Sequence, residues 1–231
     1  MGRPAIVTPA TGLIAGVVVG LVGIAALAGA GWPERRDERA GAPAESVIAA
    51  NAFLAAWRES RLGTWVVDAR FVRRLSDGRE LTTTVHTAQR PPDRLVVGHG
   101  AVEARRGRQR LACALAEDET LVCRDGGPAP PYTAEVEAEL RTLEGYVGPT
   151  GFYAVAEEPG RCFRLRLRVA VLSPPYGQLA RFCFDLETMA PVRSEIERIE
   201  AIDRTVAFRV SARPTDADLD PEKVRDGGGR G

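Results

Sequence analysis

The sequence predicts an α+β domain in which a long antiparallel sheet packs with two helices and is preceded by an N-terminal transmembrane helix. Three observations predict this fold. An uncharged apolar run occupies 11–31, helical periodicity occurs at 44–61 and again from Thr133, and alternation of apolar and polar residues fills most of the chain to Ser211. The chain has 231 residues, of which 45% are hydrophobic, enough for the core of one domain.

The segment 11–31 contains no charged residue and is long enough to cross a membrane. As a helix it would reach about 31 Å, the thickness of the hydrocarbon core of a bilayer. Ala-x-Ala-like patterns near its end also fit a cleaved signal peptide, which is the alternative. We expect 1–10 to form a short N-terminal tail, 11–31 a transmembrane helix or uncleaved signal anchor, and 32–43 a charged linker.

The orientation of this segment follows from two opposing signals. Arg35, Arg36 and Arg39 follow the apolar run, and the positive-inside rule would keep that side in the cytoplasm. Long domains, however, cross membranes largely regardless of flanking charge, and paired cysteines favour an oxidising compartment. We therefore predict a single-pass protein of the cell membrane with an extracytoplasmic C-terminal domain at 44–211 and a disordered polar tail at 212–231.

The predicted domain begins with the amphipathic helix at 44–61 and continues as strands after Gly63, where the apolar period changes to two. A hairpin turn at 76–79 and a Pro-Pro break at 91–92 separate the first strands. The residues expected to alternate along them are Trp65, Val67, Ala69, Phe71, Leu81, Thr83, Val85, Thr87, Leu95 and Val97.

Short strands near 101–105, 110–115 and 120–124 lead to a second helix, with Thr133 as its expected N-cap. Its apolar edge consists of Val136, Leu140, Leu143 and Val147. Beyond Gly160 we expect further strands with one buried and one hydrated face, which brings the meander to about nine or ten strands. Their apolar positions are Phe163, Leu165, Leu167, Val169, Val171, Phe182, Phe184, Leu186, Val192, Ile196, Ile202, Val206, Phe208 and Val210.

Four cysteines in an exported chain suggest two disulfides. Cys113 and Cys123 fall opposite each other in the register of a predicted hairpin, which indicates a cross-strand bridge. Cys162 and Cys183 share a face of neighbouring strands, but the turn between them offsets the two, so this pairing stays open. Four buried free thiols in a cytoplasmic protein are the alternative. The sequence has no Cys-x-x-Cys motif or Cys/His cluster, so we expect no zinc site.

The order of these features resembles a known fold family. A helix followed by 63–65 at the start of a long strand, a strand ending at 89–92, and an arginine-rich hairpin leading to Cys123 resemble the LolA- and RseB-like half-barrel superfamily. Its members include carriers of lipoproteins and lipids in bacterial envelopes and periplasmic regulators of anti-sigma factors. The segments around Cys162 and Cys183 are similar to mycobacterial lipoproteins of this fold.

The resemblance covers about 44–211 and implies an envelope protein that binds a lipophilic ligand or another envelope protein. The chain departs from its mycobacterial relatives because no cysteine precedes Cys113, which excludes lipid attachment at an N-terminal cysteine. Many carriers of the family are soluble, whereas this chain carries a predicted anchor. The departure favours a fixed binding role over shuttle transport.

The residue types needed for catalysis do not occur in a workable arrangement. The sequence has no GxSxG, HExxH, phosphate-loop or dinucleotide-binding motif. His86 is expected to be a solvated or locally bonded strand residue and His99 a turn residue, each without a visible catalytic partner. The acidic pattern at 216–220 fails as a calcium loop because Pro221 stands where an EF-hand requires glycine. We predict a protein that is not an enzyme, with no catalytic residue, cofactor or metal site.

Two surfaces remain as candidate binding sites. The apolar face of the sheet is either a closed core or a cavity for alkyl chains. Its ligand-face candidates are Trp65, Phe71, Val97, Phe163, Leu165, Phe182, Phe184 and Phe208. The arginines either bind an anionic partner or form a hydrated outer face. The anionic-partner candidates are Arg105, Arg106, Arg108 and Arg110, with a second set at Arg164, Arg166 and Arg168.

The net charge excludes one class of partner. Because the 31 basic and 31 acidic side chains give a formal net charge of zero, the surplus of basic residues that nucleic-acid binding requires is missing. The resemblance, which implies a curved antiparallel sheet or half-barrel, together with the predicted anchor leads us to predict a membrane-anchored extracytoplasmic binding protein that is non-catalytic and holds a lipophilic ligand against the concave apolar face. The alternative is an envelope regulatory module that binds another membrane protein, such as an anti-sigma factor.

Overall fold

The computed structural model describes residues 44–98, 101–115 and 121–227, which belong to the unit Gly41–Gly231. The predicted N-terminal tail, transmembrane helix and linker, at 1–43, lie outside the described residues, as does His99. Within the described part of the chain, no helix is both long and apolar enough to cross a membrane.

The described residues form one antiparallel sheet of 11 strands that packs with three helices. The elements are α1 (Val47–Leu62), β1 (Trp65–Leu75), β2 (Glu80–Arg90), β3 (Asp93–Gly98), β4 (Ala101–Arg106), β5 (Gln109–Leu115), β6 (Leu121–Pro128), α2 (Tyr132–Val147), β7 (Tyr153–Glu158), β8 (Cys162–Leu167), β9 (Leu179–Phe184), β10 (Pro191–Glu197), β11 (Ala201–Ser211) and α3 (Pro221–Gly227). The strand order is β6-β5-β4-β3-β2-β1-β11-β10-β9-β8-β7, so β6 and β7 are the edges of an open sheet. The predicted α+β class is confirmed, with β7 as a strand and α3 as a helix that the sequence analysis missed.

The sheet curves around α2. Near the start of this helix Glu135 pairs with Arg105 of β4, and at its end Val147 packs in one cluster with Val155 of β7. Eight strand spacings separate β4 from β7 in the sheet order, about 38 Å if the sheet were flat. From Glu135 to Val147 the helix covers only about 18 Å. A flat sheet could not make both contacts, so the sheet must wrap around the helix, as a half-barrel does.

The two faces of the sheet can be followed through the strand registers, because successive residues of a strand point to opposite sides. We call the face that carries Trp65 and Val67 the inner face, since α1 and α2 pack against it. The opposite face, which carries Val66 and Asp68, is the outer face.

Each of the two long helices, α1 and α2, begins after a residue that suits the N-terminus of a helix. The Ser46 hydroxyl accepts a hydrogen bond from the Ala49 amide, 3.0 Å away, and caps α1. Helix α2 starts after Pro131, which needs no amide partner, so Thr133 lies inside the helix and the prediction that it is the N-cap is wrong. Tyr132 is buried at this start and fixes it one residue earlier than expected.

Several strands are shorter than their apolar alternation predicts. Strand β8 ends at Leu167 and β9 at Phe184, so Val169 and Leu186 lie beyond them and are exposed, against the prediction. On β11 four expected core positions are also exposed, namely Ile202, Val206, Phe208 and Val210. The pairing of β1 with β11 shifts between Asp68 and Ala69, so a single alternating face does not run the length of β11.

The C-terminal segment covers part of the outer face. Leu219 is buried against Val66, Ala88 and Leu95, and Val224 of α3 packs against the same cluster. The sequence predicted a disordered tail at 212–231 because this segment is mostly polar. Its two apolar residues, Leu219 and Val224, nevertheless pack on the sheet and complete a small second core. The packing of this segment also explains why the outer-face residues Ala88 of β2 and Leu95 of β3 are buried.

Both disulfides are present, and all four cysteines are paired. The predicted bridge between Cys113 and Cys123 is confirmed. The open pairing is resolved as well, since Cys162 and Cys183 are direct partners in the register of β8 and β9. The turn residues between these strands lie outside the ladder and do not offset it.

Replacing both Cys162 and Cys183 with serine is expected to lower the free energy of unfolding by about 2–4 kcal/mol. The double replacement of Cys113 and Cys123 is the control. Its bridge closes a sequence separation of 10 rather than 21, so the loss should be smaller by about 0.7 kcal/mol from loop entropy alone. Urea denaturation of the two double variants measures the difference, and a larger loss for the Cys113 and Cys123 variant would contradict it.

Candidate functional site

Over β7 to β10 the inner face is a filled core. Phe53 of α1 is fully buried, and its ring centroid lies 5.5 Å from that of Phe163 and 5.8 Å from that of Phe182. Leu143 and Val147 of α2 belong to the same cluster. We call this part of the inner face the sealed half, because a ligand could enter it only by displacing α1.

Half of the predicted ligand-face candidates belong to the sealed half. They are Phe163, Leu165, Phe182 and Phe184. Trp65 lies beside it, buried, and donates its indole N–H to the Ser60 carbonyl oxygen at 2.9 Å. The four residues of the sealed half pack its core, whereas Trp65 packs in a separate cluster with Val67, Ala69 and Ala190.

The other three candidates are dispersed. Val97 lies on the outer face and packs against the cluster under the C-terminal segment, which corrects its assignment to the apolar concave face. Phe208 is exposed near the register shift of β11, and Phe71 is half-buried on the inner face of β1. The eight predicted residues therefore do not line one ligand surface.

The inner face of β11 and β1 to β4 carries a different set of apolar and small residues, which we call the open strip. The strip has two neighbouring rows that run across the strands, defined by the Cα partners of β1. One row is Val210, Val67, Thr87 and Val96, and it ends on β4 at the exposed Glu103. The other row is Ala207, Ala69, Val85, Gly98 and Ala101. Val67 and Ala69 form a buried floor, while Val85 and Val96 are half-buried.

Two features distinguish the open strip from the sealed half. Among the described residues, the hydrophobic cluster around Val67 and Ala69 contains no residue of α1 or α2. The row of alanines and a glycine also leaves little side-chain bulk above the sheet. In the sequence, small residues at apolar strand positions are the feature that could have indicated the open strip. Gly98 is one of them, and it lies so close to Val85 that an added Cβ would be 2.8 Å from the valine Cγ2.

A buried polar cluster borders one end of the open strip. Gln89 is fully buried on β2, and its amide nitrogen donates to the carbonyl oxygens of Ser60, Arg61 and Gly63 at 2.8, 2.9 and 2.8 Å. Its amide oxygen accepts from Arg61 Nη1 at 2.9 Å and from the Tyr132 hydroxyl at 3.0 Å. Burial raises the pKa of that tyrosine hydroxyl. Gln89 thus ties the end of α1 and the start of α2 to the sheet.

The predicted arginine surface is divided between the two faces. Arg105 donates to the Glu135 carboxylate at 2.7 Å and to the Pro130 carbonyl oxygen at 2.7 Å, and Arg110 lies 3.6 Å from the same glutamate. Both arginines belong to the inner face, under α2. Arg106 lies on the outer face, 3.9 Å from Asp220, and Arg108 is exposed in the turn after β4. The four residues do not form one surface for an anionic partner.

The second arginine set is held by the protein itself. Arg166 pairs with Glu45 at 2.7 Å, and that hydrogen bond, against the opposing effect of burial, lowers the pKa of the Glu45 carboxyl. Arg164 lies 3.8 Å from Glu158, and Arg168 donates to backbone carbonyl oxygens, including that of Gly148 at 3.2 Å. These contacts are structural.

An ion pair lies on the side of the open strip opposite to Gln89. Arg73 donates to both carboxylate oxygens of Asp203 at 2.6 and 2.8 Å, and Arg198 approaches the same carboxylate at 3.2 Å. Burial raises the pKa of Asp203, but the hydrogen bonds from the two arginines outweigh it, so the pKa lies below its usual value. The open strip therefore has the polar cluster of Gln89 along one side, and this ion pair lies on its other side, beyond the row of Phe71 and Thr205.

His86 has the partner that the sequence analysis did not see. Its Nδ1 lies 2.6 Å from Asp68 Oδ1 across the sheet, and its Nε2 lies 2.8 Å from the Asp218 carbonyl oxygen. Both ring nitrogens face acceptors within the fold, beneath the C-terminal segment. Of the two possibilities expected for His86, solvated or locally bonded, the structure shows the locally bonded one. The described residues contain no cluster of ligands for a metal ion.

No family model and no curated protein matches the chain. Among solved structures it is similar to a LolA superfamily protein from Nitrosomonas europaea, with 8% identity and a TM-score of 0.31 over 74% of this chain and 97% of that one. It is also similar to MucB, with 14% identity and a TM-score of 0.40 over 77% of this chain and 64% of MucB. LprF from Mycobacterium bovis has 12% identity and a TM-score of 0.29 over 76% of this chain and 97% of LprF.

The chain spans less than two thirds of the length of MucB.

Proposed function

We propose that this protein is a membrane-anchored extracytoplasmic binding protein, without catalytic activity, that holds the alkyl chain of a lipophilic ligand along the open strip. The observation that carries the proposal is the contrast between the two parts of the inner face. Under α1 and α2 the face is a filled aromatic core, whereas the open strip presents small and half-buried apolar side chains with no helix of the described part packed on them.

The open strip has suitable dimensions and chemistry for an alkyl chain. It crosses five strands, which corresponds to about 19 Å. Each CH₂ group that leaves water for this surface contributes about 0.8 kcal/mol. The open strip lies outside the cluster that α1 and α2 cover, so binding there need not open that packed core.

Two features support an anchored, exported location. The apolar run at 11–31 is long enough to span a membrane, and the two disulfides fit an oxidising compartment. An anchored domain would meet lipophilic ligands at the membrane surface, where such ligands are concentrated.

A matched pair of valines on β11 tests the proposal. Val210 belongs to the open strip and is 37% exposed, whereas Val206 lies on the outer face of the same strand and is 42% exposed. The probe is a hexadecanol analogue with a photoreactive diazirine and an alkyne, added to membranes that contain the full chain. We expect Val210→Asp to weaken saturable labelling by about 10-fold, the effect of losing one buried apolar contact.

The control, Val206→Asp, should label like the unaltered protein. Equal labelling of the two variants, or labelling that does not saturate, would contradict a site on the inner face. Circular dichroism of both variants checks that each is folded.

A second candidate function is an interaction module for another envelope protein. It is favoured by the exposed apolar side chains of β11, where Phe208 accompanies Ile202 and Val206. The same two variants separate the functions. A protein partner on the outer face would be lost from membrane pull-downs of Val206→Asp and retained by Val210→Asp.

A further inference from the structure

One arginine on the inner face, Arg94, forms no ion pair or hydrogen bond of its guanidinium with the residues that the structure describes. Arg94 lies on β3, next to Gln89 of β2 and Arg105 of β4 in the strand registers, and two residues from Val96 of the open strip. Its Nε is buried without a hydrogen-bond partner, and its guanidinium forms no ion pair with any described residue. Arg105 and Arg61, by contrast, each hold a glutamate at 2.7 and 2.8 Å.

The charges around Arg94 do not balance. Glu135 is shared by Arg105 at 2.7 Å, Arg110 at 3.6 Å and Arg61 at 4.0 Å. Glu139 accepts from Arg61 and also from the Trp57 indole N–H at 2.8 Å. Glu103 of β4, the register partner of Val96, is exposed and forms no ion pair with Arg94 in the described part of the chain. In this cluster four arginines, Arg61, Arg94, Arg105 and Arg110, thus face the two carboxylates of Glu135 and Glu139.

An uncompensated guanidinium in this position is unfavourable without a ligand. Burial, and next the charge of the neighbouring Arg61, lower the pKa of the Arg94 guanidinium. Buried polar groups normally have a partner, and an unpaired buried charge is costly unless an anion or ordered water satisfies it. A guanidinium is also suited to hold a carboxylate or phosphate through two parallel hydrogen bonds.

We propose that Arg94 binds the acidic headgroup of the ligand whose alkyl chain lies in the open strip, so that the ligand class is an anionic amphiphile. This rests on the proposed function and specifies its substrate class. Arg94 and Val96 lie about 6.6 Å apart on the same face of β3. A headgroup at Arg94 therefore directs the chain onto Val96 and away from the charged border.

The test compares two photoreactive alkyne probes of equal chain length, a palmitate analogue and the hexadecanol analogue, on membranes that contain the full chain. The unaltered protein should be labelled by the acid at about 10-fold lower concentration than by the alcohol, the gain expected from a hydrogen bond to a charged group. Arg94→Gln should remove that preference and leave labelling by the alcohol unchanged. Arg108→Gln, an exposed arginine without an ion pair in the described residues, is the control and should keep the preference.

The outcomes separate this inference from the proposed function. Equal labelling of the unaltered protein by acid and alcohol would overturn the role of Arg94 while leaving the alkyl site intact, whereas no saturable labelling by either probe would overturn both. Unlabelled lysophosphatidic acid should compete with the acid probe, and inorganic phosphate alone should not. Competition by inorganic phosphate at equal concentration would show a free-anion site and contradict an amphiphile. Since Arg94→Gln removes an unpaired charge, its thermal unfolding should show no loss of stability, and a large loss would mean that the arginine is structural.

Discussion

Replacing Phe53 with alanine is expected to lower the free energy of unfolding by about 3–5 kcal/mol. The side chain is fully buried at the centre of the sealed half and contacts the rings of Trp57, Phe163 and Phe182. Removing it leaves a cavity between α1 and the sheet that neighbouring rings, held in strands, can fill only in part. The loss therefore includes both the transfer of the side chain and the cavity.

Urea denaturation followed by circular dichroism measures this effect. Phe208→Ala provides a control of the same residue type, since Phe208 is 66% exposed and its removal should change stability by no more than about 0.5 kcal/mol. A loss below about 1 kcal/mol for Phe53→Ala would mean that the region under α1 is not a filled core.

Replacing Gln89 with leucine is expected to cost about 2–5 kcal/mol, because it removes the amide that joins three parts of the inner face. The leucine has a similar volume, so the loss comes from hydrogen bonds that leucine cannot replace. The Gly63 carbonyl oxygen loses the hydrogen bond that Gln89 gives it. The carbonyl oxygens of Ser60 and Arg61 and one nitrogen of the Arg61 guanidinium each lose one hydrogen bond and keep another, to Trp65 or Tyr132.

Gln178→Leu is the matched control for this variant. Gln178 is exposed, so its replacement should change stability by no more than about 0.5 kcal/mol. Hydrogen exchange should also show faster opening at the end of α1 in Gln89→Leu, since the last carbonyl groups of that helix lose their cap. Equal stability of the two leucine variants would contradict the role of Gln89 as the junction between α1, α2 and the sheet.

Local patterns in the sequence predicted the features that depend on neighbouring residues. The helix at 44–61, the hairpin at 76–79 and the bridge between Cys113 and Cys123 all follow from spacing within one or two elements. The curvature of the sheet could be expected only from the resemblance, because it depends on contacts of α2 with both β4 and β7. These two strands are too far apart in the sheet order for one helix to contact both unless the sheet is curved.

The candidate site depended on contacts that spacing does not encode. Apolar alternation showed that the sheet had a buried face but not which part of it α1 would cover, so the aromatic residues chosen as ligand contacts include core residues such as Phe182. On the outer face, His86 is buried and Val97 half-buried by the segment around Leu219, more than a hundred residues later in the chain. The missing charge partner of Arg94 could be recognised only after its neighbours had found theirs.

The most direct test of a divided inner face is methyl-resolved NMR of the full chain, labelled at valine and leucine methyl groups and titrated with hexadecanol. We expect the largest chemical-shift changes at Val85 and Val96 in the open strip. The methyl groups of Leu165 in the sealed half and of Leu95 on the outer face should change little. Changes centred on Leu165 would show that the ligand enters the core under α1, and changes centred on Leu95 would show that it binds the outer face, so either result would contradict the account.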